Sequence, residues 1–179
     1  MIKSICRVLA TLVLTLLALP AQANDQAMLD EALSSARTLF AETRHSPDLR
    51  RFGVDLDAYA SALALQPIAN SVWDGIVQVT PEIRRKASGS CQSYAAFVVM
   101  PPEAQKLRLV LCPQFFSAGA DDLRRLTILH EMVHAVAGRD ECRAMAFAAA
   151  IEQAGLGRHT PVDRYWQVND CRGSAFRLP

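Results

Sequence analysis

The segment from Leu126 to Ala137 constrains this chain more than any other. Its polar residues are Thr127, His130, Glu131 and His134, and every other position is apolar. At helical spacing those apolar positions fall on all sides, which predicts a helix buried all round rather than along one stripe. Any fold of this chain must therefore wrap that helix and accommodate three ionisable groups inside it. A buried glutamate is costly unless it is paired or given a metal site. His130 and His134 are four apart, so they lie one above the other on one helix face and can each present a ring nitrogen to one metal ion. Glu131 stands to the side of that face, where it can take a proton from an attacking water and pass it to a leaving amine.

A site of this kind needs a third protein ligand, with one position left open. Asp140, Glu141 and His159 are the downstream candidates. Gly138 lets the chain leave the helix sharply, and Glu141 opens the next one. Asp140 suits the helix-cap role better. That makes Glu141 the preferred ligand and Asp140 the alternative. Tyr165 and His159 are candidates to stabilise an oxyanion. Tyr94, Trp73 and Trp166 read as core aromatics.

Around this helix the pattern is mixed. Residues 26–43 carry an apolar stripe at helical spacing, and a second helix is expected over residues 55–65. Residues 76–79 suit a short strand. Residues 93–100 and 107–112 read as a hairpin, with Pro101-Pro102-Glu103 as its turn. The buried helix is expected over 121–137 and the next over 141–153, with Gly155 as its stop. Thr160-Pro161 reads as the cap of a short helix ending near Val168.

The first 23 residues read differently from the rest. Lys3 and Arg7, an apolar run from Val8 to Pro20 and then Ala21-Gln22-Ala23 have the form of a secretory signal peptide cleaved after Ala23. The run is short of the roughly 20 residues needed to span a bilayer, so no stable membrane anchor is expected. This leaves residues 24–179 as one domain in a periplasmic or secreted protein. Without Lys3 and Arg7 the chain has 17 basic against 18 acidic side chains, a balance that argues against nucleic acid as a partner. Cys91, Cys112, Cys142 and Cys171 remain, spaced unlike a four-cysteine zinc site, and an oxidising compartment favours two disulfides. Of three possible connectivities, Cys91 with Cys112 across the hairpin and Cys142 with Cys171 is the expected one.

His130-Glu131-Met132-Val133-His134 with a downstream acidic residue resembles the zincin superfamily of metallopeptidases. The ExxA stretch from Glu141 to Ala144 resembles its glutamate-ligand branch, the gluzincins. The run from Leu109 to Phe116 is similar to the segment before the zinc helix in deuterolysin-like aspzincins. Those take a third ligand from a Gly-Thr-x-Asp stretch, from which Gly138-Arg139-Asp140-Glu141 departs. The resemblance implies an α+β, zincin-like single domain with a helical N-terminal part, a small β-sheet and hairpin, and a buried Zn2+-binding helix. It implies hydrolysis of a peptide or protein substrate, with Glu131 as general base. It also implies that a strand before the helix, over 107–111 or 93–99, lines the cleft. Two other readings are a non-enzymatic exported zinc-binding or interaction protein and a zinc amidase acting on cell-wall peptide.

Overall fold

The computed structural model describes residues 19–179, with side chains from residue 23. The proposed leader therefore falls largely outside the described residues. By its internal contacts the chain divides into residues 1–31 and residues 32–179, and all the elements discussed below except the start of the first helix belong to the second unit.

The elements in chain order are α1 (Leu19–Thr43), α2 (Pro47–Arg50), α3 (Leu56–Leu63), β1 (Ile68–Ala69), β2 (Ile76–Ile83), β3 (Ala96–Glu103), β4 (Lys106–Leu111), α4 (Asp121–Ala137), α5 (Glu141–Leu156) and α6 (Asp163–Val168), with short 3-10 turns at Gly89–Gln92, Pro113–Phe116 and Cys171–Gly173. This is an α+β domain with a small mixed sheet in the order β1-β2-β4-β3. β1 and β2 are antiparallel, β2 and β4 parallel, and β3 and β4 antiparallel. β3 is thus an edge strand.

α4 is wrapped as its composition requires. From Leu126 to Ala137 every residue but Thr127 is buried. α3, α5 and β3 pack against it. α5 contributes an unbroken buried run from Ala144 to Glu152, mostly small residues that permit a close helix pair. An aromatic cluster backs the helices. Tyr59 of α3 meets Phe40 and Phe147 edge to face at 4.7 and 5.0 Å, and Phe147 meets Phe52 at 5.5 Å. The Tyr59 hydroxyl donates to the Leu129 carbonyl at 2.7 Å, one residue before His130. Asp55 caps α3 through the amides of Asp57 and Ala58, as a short polar side chain at an N-cap does.

Several local expectations are corrected. Pro101 and Pro102 lie inside β3 rather than in the turn, since a strand on the sheet edge tolerates a residue that cannot donate to a ladder. The ladder is irregular between Val99 and Glu103. The turn is Ala104-Gln105, with φ of 48° and 63°, the sign that a tight hairpin requires. Gly155 does not stop α5, which runs on to a left-handed Gly157 at φ 68°. Gly155 instead lets the helix approach α1, since a Cβ there would stand 2.3 Å from Leu39 Cδ1. Thr160 does not cap α6, whose N-cap is Val162. Trp73 is half-buried and Tyr94 is 53% exposed, so neither is a core residue.

Disulfides join Cys91 to Cys112 and Cys142 to Cys171. The first ties the 3-10 turn before β3 to the end of β4. The second ties the first turn of α5 to the segment after α6. Both fit an oxidising compartment. Among the described residues no helix is long and apolar enough to cross a membrane.

Candidate metal centre

The last four carbonyls of an α-helix lack intrahelical partners, and α4 ends with all four occupied. His134 O accepts from Gly138 N at 3.2 Å. Ala135 O accepts from Trp73 Nε1 at 2.6 Å and Val136 O from Asn70 Nδ2 at 2.8 Å. Ala137 O accepts from Arg143 Nη2 at 2.5 Å. Gly138 then takes φ 82° and ψ −158°, which turns the chain sharply. Its carbonyl lies 2.8 Å from His134 Nδ1. The turn also delivers Glu141 to the two imidazoles.

His130, His134 and Glu141 converge. The two Nε2 atoms are 3.1 Å apart, and Glu141 Oε2 is 3.2 Å from one and 3.3 Å from the other. A tetrahedral ion with bonds of about 2.0–2.1 Å to nitrogen and oxygen holds its ligand atoms roughly 3.3–3.4 Å apart. Proton bookkeeping points the same way. Gly138 O can only accept, so His134 Nδ1 carries the hydrogen and a neutral His134 turns a bare lone pair inward. A second shell of this kind fixes the tautomer of a metal-bound histidine. The buried His130 Nδ1 has no partner among the described residues, so neither tautomer of His130 is fully satisfied. A carboxylate and the inward lone pair of His134, with His130 Nε2 beside them, suit a cation, and these three residues could hold one.

Electrostatics agree. Burial alone would raise the Glu141 carboxyl, but hydrogen bonding with His130, His134 and Tyr165 outweighs it and holds it far below the usual carboxylate range. Burial would lower His134, but its bond to Glu141 and the charges of Glu131 and Glu141 raise it. The two shifts are opposite sides of one contact: the imidazoles stabilise the Glu141 carboxylate, and the carboxylates stabilise positive charge at His134.

Glu131 is not a member of the triad. It is buried, and its Oε2 accepts from Val98 N at 3.0 Å. Burial raises its pKa, with the charge of Glu141 adding to the rise, against the pull of His130, His134 and the Val98 amide. The Val98 bond also shows which way β3 faces. Ala95 O is taken by Cys112 N on the β4 side. The alternation of a strand then places the backbone groups of Ala96 and Val98 on the free edge, toward the cleft.

That cleft has a volume of about 770 Å³ and contains all three donors and Glu131. β3 forms one wall, with Tyr94 at its rim. Leu123, Leu126 and Thr127 extend the floor along α4, and Val162, Tyr165 and Val168 form the opposite wall. The Tyr165 hydroxyl bonds Glu141 Oε2 and lies 3.3 Å from His130 Nε2. Burial and the Glu141 charge raise its pKa beyond the ordinary tyrosine range.

The other sequence candidates stand elsewhere. Asp140 is exposed and caps α5 by accepting from Arg143 N at 2.9 Å. His159 is half-buried on the loop before α6 and is not among the residues lining the cleft. The capping pair Asn70 and Trp73, the brace Tyr59 and the Val98 amide were not foreseen. They act across long sequence separations and leave no local pattern. Comparisons with family models, with curated proteins and with solved structures give no significant match.

Proposed function

We propose that this chain is a zinc-dependent metallopeptidase, exported and active in an oxidising compartment. The observation that carries the reading is a three-donor cluster with a buried, non-ligating glutamate beside it, at the free edge of a strand. A purely structural metal site has no use for such a glutamate. His130, His134 and Glu141 would hold the ion. When bound, zinc supplies a Lewis acid and a water acidic enough to ionise near pH ~7.

The chain's own residues supply the rest. The Ala96 backbone groups and the Val98 carbonyl, on the strand edge beside the Val98–Glu131 bond, are suited to pair with an extended peptide, which main-chain hydrogen bonds would register along β3. Glu131, raised in pKa by burial, is poised to take a proton from the attacking water and return it to the leaving amine. The Tyr165 hydroxyl reaches the donors and is placed to donate to the oxygen on which negative charge grows. The apolar walls limit water around these groups and suit apolar side chains.

The test is hydrolysis of a mixed peptide library by the zinc-loaded protein, followed by mass spectrometry, beside Glu131→Gln. The parent should cleave, and the variant should retain zinc and lose at least ~100-fold in turnover, the lower range for a positioned acid–base group. Equal turnover in the variant removes Glu131 from the mechanism. A zinc-loaded parent that cleaves nothing in the library counts against the peptidase reading.

A further inference from the structure

Glu152 of α5 is fully buried, and the proposed chemistry does not use it. Its Oε1 accepts from Arg125 Nε at 3.2 Å and Nη2 at 2.9 Å, and its Oε2 accepts from the amide of Thr160 at 2.7 Å. Arg125 Nη2 also donates to Asp122 Oδ1 at 2.9 Å, and Asp122 pairs with Arg158 at 3.3 Å. The carboxylate thus joins α4 and α5 to the loop that follows α5. A buried ion pair is weak evidence for stability, because well-packed apolar residues often serve as well. What apolar residues cannot do is hold a backbone amide.

That amide belongs to the segment leading into the cleft wall. Thr160 precedes Pro161 and Val162, which line the cleft, and α6 with Tyr165 follows. α6 has six residues and no side-chain N-cap, too little to be stable by itself. Its position is set by what holds it: buried Val162 and Trp166, the Cys142–Cys171 disulfide beyond its end, and the Thr160 amide before its start. The Thr160 hydroxyl is buried without a partner among the described residues, so the amide is the polar anchor at that end.

We infer that Glu152 is a positioning residue, which holds the Thr160 amide so that the Tyr165 hydroxyl reaches the His130 and Glu141 donors. The inference rests on the reading that these donors bind a metal ion. The isosteric Glu152→Gln tests it. A glutamine offers one acceptor where the carboxylate offers two. The charged, two-pronged Arg125 takes that oxygen, which turns an amide NH2 toward the Thr160 N–H and breaks the anchor.

The chain has three tyrosines, Tyr59, Tyr94 and Tyr165. Fluorine NMR of 3-fluorotyrosine-labelled protein therefore gives three signals, assigned with Tyr165→Phe. Co2+ is the probe, because its paramagnetic shift falls steeply with distance. In the parent, the Tyr165 signal should show the largest Co2+-induced shift. In Glu152→Gln, Co2+ should still bind one to one, and the Tyr165 signal should lose most of that shift while Tyr59 keeps its own. A general loss of stability would not move one tyrosine alone. An unchanged Tyr165 shift in the variant, or a Tyr165 signal insensitive to bound Co2+ in the parent, overturns the inference and leaves the metal centre standing. A parent that binds no Co2+ and no zinc overturns the metal reading instead. Hydrogen exchange of the Thr160 amide in the parent then judges the anchor, as it also does if the variant fails to fold. Strong protection supports it, and exchange as fast as an exposed loop amide overturns it.

Discussion

His130 and His134 stand on a helix whose last four carbonyls all have partners, whereas Tyr165, across the same cleft, stands on a six-residue helix without a side-chain cap. The first side is fixed by core packing. The aromatic cluster of Tyr59, Phe52 and Phe147 lies behind α4, and the Tyr59 hydroxyl reaches the carbonyl beside His130. The second side is fixed by a few discrete anchors. The two histidines and the tyrosine thus rest on separate supports. Damage to the core should displace both, and damage to the anchors should displace only the tyrosine.

Phe147→Ala should have the largest effect. Deleting a fully buried ring that touches two other aromatics should lower unfolding free energy by about 3–5 kcal/mol. Chemical denaturation measures it. A loss below about 1 kcal/mol, near the centre of all point mutations, would show that the cluster does not support α4.

Next comes removal of the disulfide beside the ligand helix. Its loop spans 29 residues. Cys142→Ala with Cys171→Ala should cost about 3–4 kcal/mol, by the loop-closure entropy restored to the unfolded chain. Zinc should still bind one to one, because the ligand side of the cleft keeps its core. Loss of metal together with the disulfide would make the α6 side a support of the metal.

The effect of pH is smaller. In the metal-free protein the raised His134 pKa means that this group adds stability below its unfolded value, about 6.5, which is lost as pH rises through the folded value. Metal binding has the opposite slope, because the ion requires a neutral imidazole. Apparent zinc affinity should therefore climb through the range above about pH 6.5, up to about tenfold per pH unit for one competing proton, and then level. Competitive titration across that range measures it. A flat profile would show that no such proton is displaced.

How much of this was legible in the sequence depended on distance along the chain. α4 runs Asp121–Ala137 as its apolar pattern and Gly138 indicate, because helical periodicity and a C-terminal glycine are local signals. His130, His134 and Glu141 are local for the same reason: one helix, one sharp turn and the first residue of the next helix bring them together. Long-range pairings were not legible. The parallel partnership of β2 with β4 makes β3 the edge strand, and that partnership is set outside residues 96–103. That placement also accounts for the prolines of β3, which resembled a turn. Gly155 resembled a helix stop because its reason, the close approach of Leu39, lies over a hundred residues earlier. The link from Glu152 to Thr160 and Arg125 was missed likewise. Its only trace was a glutamate at the end of an apolar helical run.

His130, His134 and Glu141 are expected to act as one metal site. Competitive zinc titration of the parent, Glu141→Gln and Asp140→Asn tests it most directly. The parent should bind one zinc per chain, and Glu141→Gln should lose affinity sharply. Asp140→Asn should keep near-parent affinity, since its cap is lost only in part, at a stability cost of no more than about 1 kcal/mol. A parent that binds no zinc would rule out the site, and an Asp140→Asn that loses zinc while Glu141→Gln keeps it would transfer the third-ligand role to Asp140.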